Sequence, residues 1–123
     1  AYGVTCMRTM LDNPDPNTPQ PTAVITADDL QAIGVLQALR ERGRRDVAVI
    51  GFNNTGLGVY QQPALASIDV NAGQLGYHAA RLLINTLEQN GMPEDHVIVP
   101  TQLVERESMN VPVGCAAPSR EEA

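Results

Sequence analysis

Two pairs of side chains in this sequence have the types and the placement to hold a polar small molecule, Asp28-Asp29 and Asn53-Asn54. Carboxylates accept hydrogen bonds and carboxamides both accept and donate them, so these groups gathered together suit the hydroxyls of a polyhydroxylated ligand. Each pair also has a purely local reading. An Asp at a helix start caps free N–H groups and complements the helix dipole, and consecutive Asn residues favour turns. On local sequence both readings stand. No G-x-S-x-G elbow, no Cys/His pairing with an orienting group and no acid/base pair occurs, so the chain does not read as an enzyme. The run Gly51-Phe-Asn-Asn-Thr-Gly-Leu-Gly58 lacks the Gly-Lys-Ser/Thr ending of a phosphate loop, which leaves Gly56 and Gly58 as turn residues. His78 and His96 have no Cys, His or carboxylate at ligand spacing nearby, and no metal or cofactor is expected.

The elements that must position these pairs follow from periodicity. Val4, Met7, Met10 and Leu11 recur at helical spacing up to Asp12, and the proline-rich segment from Asn13 to Pro21 ends the pattern. Thr22 to Ala27 reads as a short buried strand. It runs straight into a helix from Asp28 to Arg42, with Leu30, Ile33, Leu36 and Leu39 on one face, Asp28 and Gln31 at capping-box spacing, and Gly43 as the C′ residue. Asp46 to Phe52 is a second buried strand, and a strand-helix-strand unit of this length implies parallel pairing. The Asp and Asn pairs therefore sit at the carboxyl ends of adjacent parallel strands, where open α/β sheets bind their ligands.

After a loop to Pro63, Leu65 to Val70 is a third extended stretch. A helix from Asn71 carries Leu75, Ala79, Leu82, Leu83 and Leu87, with Asn71 and Gln74 again at capping-box spacing. His96 to Glu105 reads as a strand interrupted by Pro100. Glu105-Arg106-Glu107 reads as a solvated strand end with local ion pairing, and the tail beyond Ser108 as frayed.

Composition narrows the class. Eight Arg, no Lys and 14 acidic residues give a net charge of −6, the wrong sign for a surface that tracks a phosphate backbone. No apolar run approaches the ~20 residues of a membrane-spanning helix. Cys6 and Cys115 have neither CxxC spacing nor a disulfide framework, which favours a reducing compartment. A core of Val, Ile, Leu and Ala with few aromatics suits a doubly wound α/β parallel sheet flanked by helices. The opening Ala1-Tyr2-Gly3 reads as the start of an excised piece.

From Pro21 onward the chain closely resembles the C-terminal half of the effector-binding domain in the LacI/GalR family of repressors. Pro21-Thr-Ala-Val-Ile-Thr-Ala-Asp-Asp-Leu-Gln-Ala-Ile-Gly34 is similar to the family's PTA-apolar-x-A-N-D-x-x-A-x-G run, and Leu39 to Gly43 to its Leu-Arg-x-x-Gly helix end. Asp46 to Phe52 is similar to its D-V-S-V-V-G-F-D-D strand and Pro63 to Ile68 to P-x-L-T-T-I. Leu75-Gly76 with the helix it opens resembles x-x-L-G-x-x-A, and Leu103 to Ser108 resembles L-V-x-R-x-S.

The resemblance implies a partial periplasmic-binding-protein-like fold of type I. Residues 1–70 would form most of the C-terminal lobe, 71–99 elements of the N-terminal lobe, 100–108 a crossover strand returning to the C-terminal lobe, and 109–123 the frayed tail. It implies a cytoplasmic ligand-sensing and dimerising fragment of a transcriptional regulator. The partners would be a small polar effector, a sugar or related metabolite, a second copy of the chain, and operator DNA through a helix-turn-helix absent from this chain.

On that resemblance Asp29 faces the ligand cleft while Asp28 keeps the cap. Asn53 and Asn54 replace the usual Asp-Asp at the ligand-binding strand end. Ala72 stands where some members place a cleft-facing side chain, and Leu57 and Tyr60 fall in a dimer-interface segment. The alternative is a periplasmic sugar-binding protein of the same fold.

Overall fold

The computed structural model describes residues 2–17, 19–88 and 96–111. Among them the chain runs α1 (Tyr2–Asp12), β1 (Ala23–Ile25), α2 (Asp29–Glu41), β2 (Ala48–Phe52), β3 (Ala66–Asp69), α3 (Ala72–Leu87) and β4 (Gln102–Val104), with 3-10 turns at Gly56–Tyr60 and Glu107–Met109. The sheet order is β1-β2-β3-β4. β1 pairs with β2 and β2 with β3 in parallel, whereas β4 runs antiparallel to β3, with Ser67 opposite Val104 and Asp69 opposite Gln102.

α2 is the best specified element. The Asp28 side chain accepts from the Gln31 backbone N–H at 2.7 Å, and the Gln31 carboxamide donates to the same carboxylate at 3.1 Å. The box is thus closed between the two side chains. At the other end Gly43 takes φ +64°, its N–H reaches Arg40 O and that of Arg44 reaches Leu39 O at 2.9 Å. These are the two bonds of a Schellman ending, and the positive φ explains the glycine.

Met7, Ala32, Val35, Leu36, Leu39, Val47, Val49 and Leu65 form one core between α1, α2 and the sheet. The helices approach closely because Gly3 and Gly34 face each other's backbone: a Cβ on Gly3 would overlap Gln31, and one on Gly34 would stand 2.8 Å from the Val4 nitrogen. Arg8 grips Glu41 with two bonds of 2.9 and 2.7 Å, and Arg42 pairs with Asp12, tying α1 to α2 at the surface.

Four local expectations change. The strand predicted at Thr22–Ala27 is shorter and half-covered. Val24 packs on the core, but β1 is an edge strand and Ile25 on its other face is 69% exposed. Asn71 makes no side-chain cap; it adopts a left-handed conformation with φ 53°. Only Gln102–Val104 of the predicted His96–Glu105 strand joins the sheet, and residues 96–100, ending at Pro100, are not part of it. Arg106 and Glu107 bind backbone groups of the Ala64–Leu65 segment: half-buried Arg106 reaches Leu65 O at 2.6 Å and the exposed Glu107 carboxylate accepts from the Ala64 N–H at 3.1 Å. Of the predicted tail, residues 112–123 and Cys115 lie outside the described residues.

α3 stands apart. None of its residues is buried, and Leu75, Leu83, Ile84 and Leu87 are each more than half exposed. No described helix is long and apolar enough to cross a membrane.

Candidate ligand site at the strand ends

Three parallel strands end together, and the residues following them are Thr26–Asp28 after β1, Asn53–Thr55 after β2 and Val70–Asn71 after β3. Asn53 and Asn54 have φ of 88° and 48°, and Asn71 has 53°. Asn is the non-glycine residue that enters this region most readily, since its short polar side chain can bond locally. The turn reading of the Asn pair is therefore correct, and it coexists with a position at the carboxyl ends of the parallel strands.

Asp29 departs from its expected place. It is completely buried: one carboxylate oxygen accepts from Ser67 Oγ at 2.6 Å, the other from the Thr55 N–H at 2.5 Å and Thr55 Oγ1 at 2.8 Å. Its position in the first turn of α2 adds the helix dipole to these donors. Packing against β2 turns the side chain inward and leaves it no exposed surface. A side chain at Gly51 would overlap the carboxylate, so the glycine in the Gly51-Phe52 step makes the room Asp29 occupies. The half-buried cap Asp28 lies nearer the surface.

Asn54 is also committed. Its N–H donates to Ser67 Oγ at 3.0 Å, its Nδ2 donates to Asp69 Oδ2 at 3.0 Å, and its Oδ1 accepts from Arg106 Nη2 at 2.8 Å. Asp69 takes a second bond from the Asn71 N–H at 2.7 Å. The backbone N–H of Asn71, then the Asn54 carboxamide, hold the Asp69 carboxyl below its ordinary range, against the opposing effect of burial. Asn53 is different. Its N–H closes on Ile68 O at 2.9 Å, while its side chain is exposed with no partner among the described residues. Asn71 and Ala72 are exposed as well.

The sequence-predicted set thus divides into a surface group of Asn53 and Ala72, a bridging Asn54 and a buried Asp29. Sequence reasoning passed over Thr55, Ser67 and Asp69 here, and read Asn71 as a cap and Arg106 as a solvated strand-end residue. Asp69 could have been noticed as a polar residue ending the third strand; Arg106 stood in a recognised motif, but its partners, 41 and 52 positions away, could not be read from it. The two remaining positions, Leu57 and Tyr60, lie in the 3-10 turn and are 53% and 85% exposed. No group of three His, Cys, Asp or Glu side chains that could hold a metal ion occurs among the described residues.

A family model for the periplasmic binding protein-like domain matches residues 1–109. The HTH-type transcriptional regulator CelR of Thermobifida fusca is 32% identical over 109 residues, covering 86% of this chain and 31% of that protein. Its complex with cellobiose superposes with a TM-score of 0.75 over 86% of this chain and 32% of that one. The lactose operon repressor of Rhizobium radiobacter is 30% identical over 96 residues, covering 76% of this chain and 84% of that protein. A lac repressor dimer bound to operator and an anti-inducer is 26% identical with a TM-score of 0.75, over 89% of this chain and 37% of that one. The chain spans about a third of the length of the first curated relatives it matches.

Proposed function

This chain belongs to the periplasmic binding protein-like domain family, among the LacI-type transcriptional regulators, and on that premise we propose that it is the C-terminal part of an effector-sensing domain that binds a neutral sugar at its strand ends. The observation that carries the reading is the set of polar groups at the carboxyl ends of the parallel strands: Asp28 after β1, exposed Asn53 after β2, and Asp69 and Asn71 at the end of β3. Carboxylates and carboxamides match sugar hydroxyls as acceptors and donors. Two carboxylates there, with Arg106 committed to Asn54 and Leu65, disfavour a phosphorylated or acidic ligand. The relative crystallised with cellobiose supports the same ligand class.

In this reading Asn53 and Asn71 contact the sugar, Ala72 leaves room beside it, and Asp29 and Asn54 hold the contact residues in place. The exposed side chains of Leu57 and Tyr60 support a homodimer through the 3-10 turn. The uncovered apolar stripe of α3 supports assigning residues 71–99 to a second lobe and the segments at Asp69–Asn71 and Pro100 to the crossovers between lobes. Effector binding then changes operator affinity by favouring one lobe arrangement over the other, in a cytoplasmic regulator whose DNA-reading part lies outside this chain. A transport-type sugar-binding protein draws no support from these relatives, which are named as regulators.

The test is a thermal-shift and calorimetric screen of neutral mono- and disaccharides, their phosphorylated counterparts and nucleobases against the protein carrying this chain. A neutral sugar that raises the melting temperature, with its phosphorylated form inert, is the expected result. Stabilisation by a nucleobase or a phosphorylated sugar alone overturns the reading.

A further inference from the structure

Asn54 stands where the family pattern has an acidic residue, and the structure supplies a reason for the exchange. Three chain segments meet at its carboxamide: the turn after β2, the end of β3 at Asp69, and Arg106 just beyond β4. The carboxamide donates to an anion and accepts from a cation at once, at 3.0 and 2.8 Å. A carboxylate accepts only. An Asp at position 54 would keep Arg106 but set a second negative charge at hydrogen-bond distance from Asp69. Arg106 is not free to turn and neutralise both, since its other nitrogen is held on Leu65 O at 2.6 Å.

The location gives this junction its consequence. Asp69 is the last residue of β3, its other oxygen fixes the Asn71 N–H as the chain enters α3, and it lies opposite Gln102, two residues after Pro100. Asp69 thus begins one of the segments assigned above as crossovers, and its partner in the sheet, Gln102, follows the other by two residues. Asn54 also carries Asn53, the exposed strand-end carboxamide, as its neighbour in sequence.

We propose that Asn54 is a positioning residue that locks the Asn53 turn, the β3–α3 crossover and Arg106 beyond β4 into one unit, and that the amide at 54 and the carboxylate at 69 form an exchangeable pair. The naming of the two segments as crossovers rests on the regulator reading; the junction itself does not, and its test needs no ligand.

In this chain, Asn54→Asp is compared with Asn54→Asp/Asp69→Asn by thermal unfolding, by amide hydrogen exchange at Asn53 and Asn71, and by NMR titration of the carboxyls at 54 and 69. The single substitution is expected to lower the melting temperature, raise the titration midpoint of Asp69 and speed exchange at Asn71 roughly fivefold, the loss of about one hydrogen bond. The double substitution re-creates donor, acceptor and cation in swapped order, and is expected to recover most of both losses. An Asn54→Asp chain as stable as the parent with an unmoved Asp69 midpoint, or a swapped pair no better than the single substitution, overturns the proposal. Absence of sugar binding in the parent would count against the regulator reading and leave these readouts decisive for the junction.

Discussion

The carboxylate of Asp29 lies against the α-carbon of Gly51, in the space a β-carbon would take. Two residues from different elements are thereby made interdependent. The acid is buried with three donors around it, and the glycine is required by the fit, not by a left-handed backbone.

Gly51→Ala is accordingly expected to destabilise the fold by roughly 1–3 kcal/mol, the usual cost of forcing an extra methyl into a packed site. Asp29→Ala should cost about 1–3 kcal/mol by stranding the hydroxyls of Ser67 and Thr55 and the Thr55 N–H. Urea unfolding of each variant checks both, and a midpoint equal to the parent's in either would remove Asp29 from its structural role.

Asn53→Gly separates contact from conformation. Glycine tolerates the φ of 88°, so stability should hardly change while affinity for the stabilising sugar falls roughly three- to tenfold, the worth of a hydrogen bond. Isothermal calorimetry reads the affinity and a melting curve the stability. A loss of stability with affinity intact would show the side chain holding the turn instead of the ligand.

Acid should weaken the fold in a defined window. Arg42 lowers the Asp12 carboxyl, Arg8 lowers Glu41, Arg44 lowers Asp46, and the Asn71 N–H with Asn54 lowers Asp69. A carboxyl whose folded pKa is depressed adds stability above its unfolded value and loses it as pH falls through the folded one. The melting temperature should therefore be flat from neutrality to about pH 5 and fall below about pH 4, beneath the ordinary carboxylate range. Replacing Asp12 by Asn should make that fall shallower; an identical pH profile would show the Asp12–Arg42 pair to be idle.

Leu57→Asp with Tyr60→Asp places charge on the exposed 3-10 turn. If that turn is the dimer contact, light scattering should find the parent at twice the mass of the doubly substituted protein, with the two melting curves alike at low concentration. Equal masses would move the interface elsewhere.

The residues that made the fold legible are those with local consequences. Asp28, Gln31 and Gly43 bound α2 at both ends, and the alternation of helix and strand around them implied the parallel β1–β2 pair. The burial of Asp29 was not legible because its direction is decided by Ser67 and Thr55, which lie 38 and 26 residues away, and nothing in the local sequence distinguishes an exposed acid from a buried one. Asn71 was misjudged as a cap for a similar reason: its conformation follows from the bond its N–H gives to Asp69. The motif Leu103 to Ser108 was recognised as a pattern, but the work of its polar members became visible only in three dimensions.

Ser108 carries one further consequence. Its hydroxyl donates to the Val49 carbonyl at 2.6 Å, 59 residues back, and accepts from the Ala66 N–H at 2.8 Å, 42 residues back. During synthesis at about 5–20 residues per second, β2 waits some ~3–12 s after Val49 is added before the serine that closes it exists. Until then a core carbonyl and a core amide lack their native partner, so the sheet they belong to is less protected than in the finished fold. A fusion partner inserted ahead of Ser108 would prolong that interval, whereas one placed after Met109 would not.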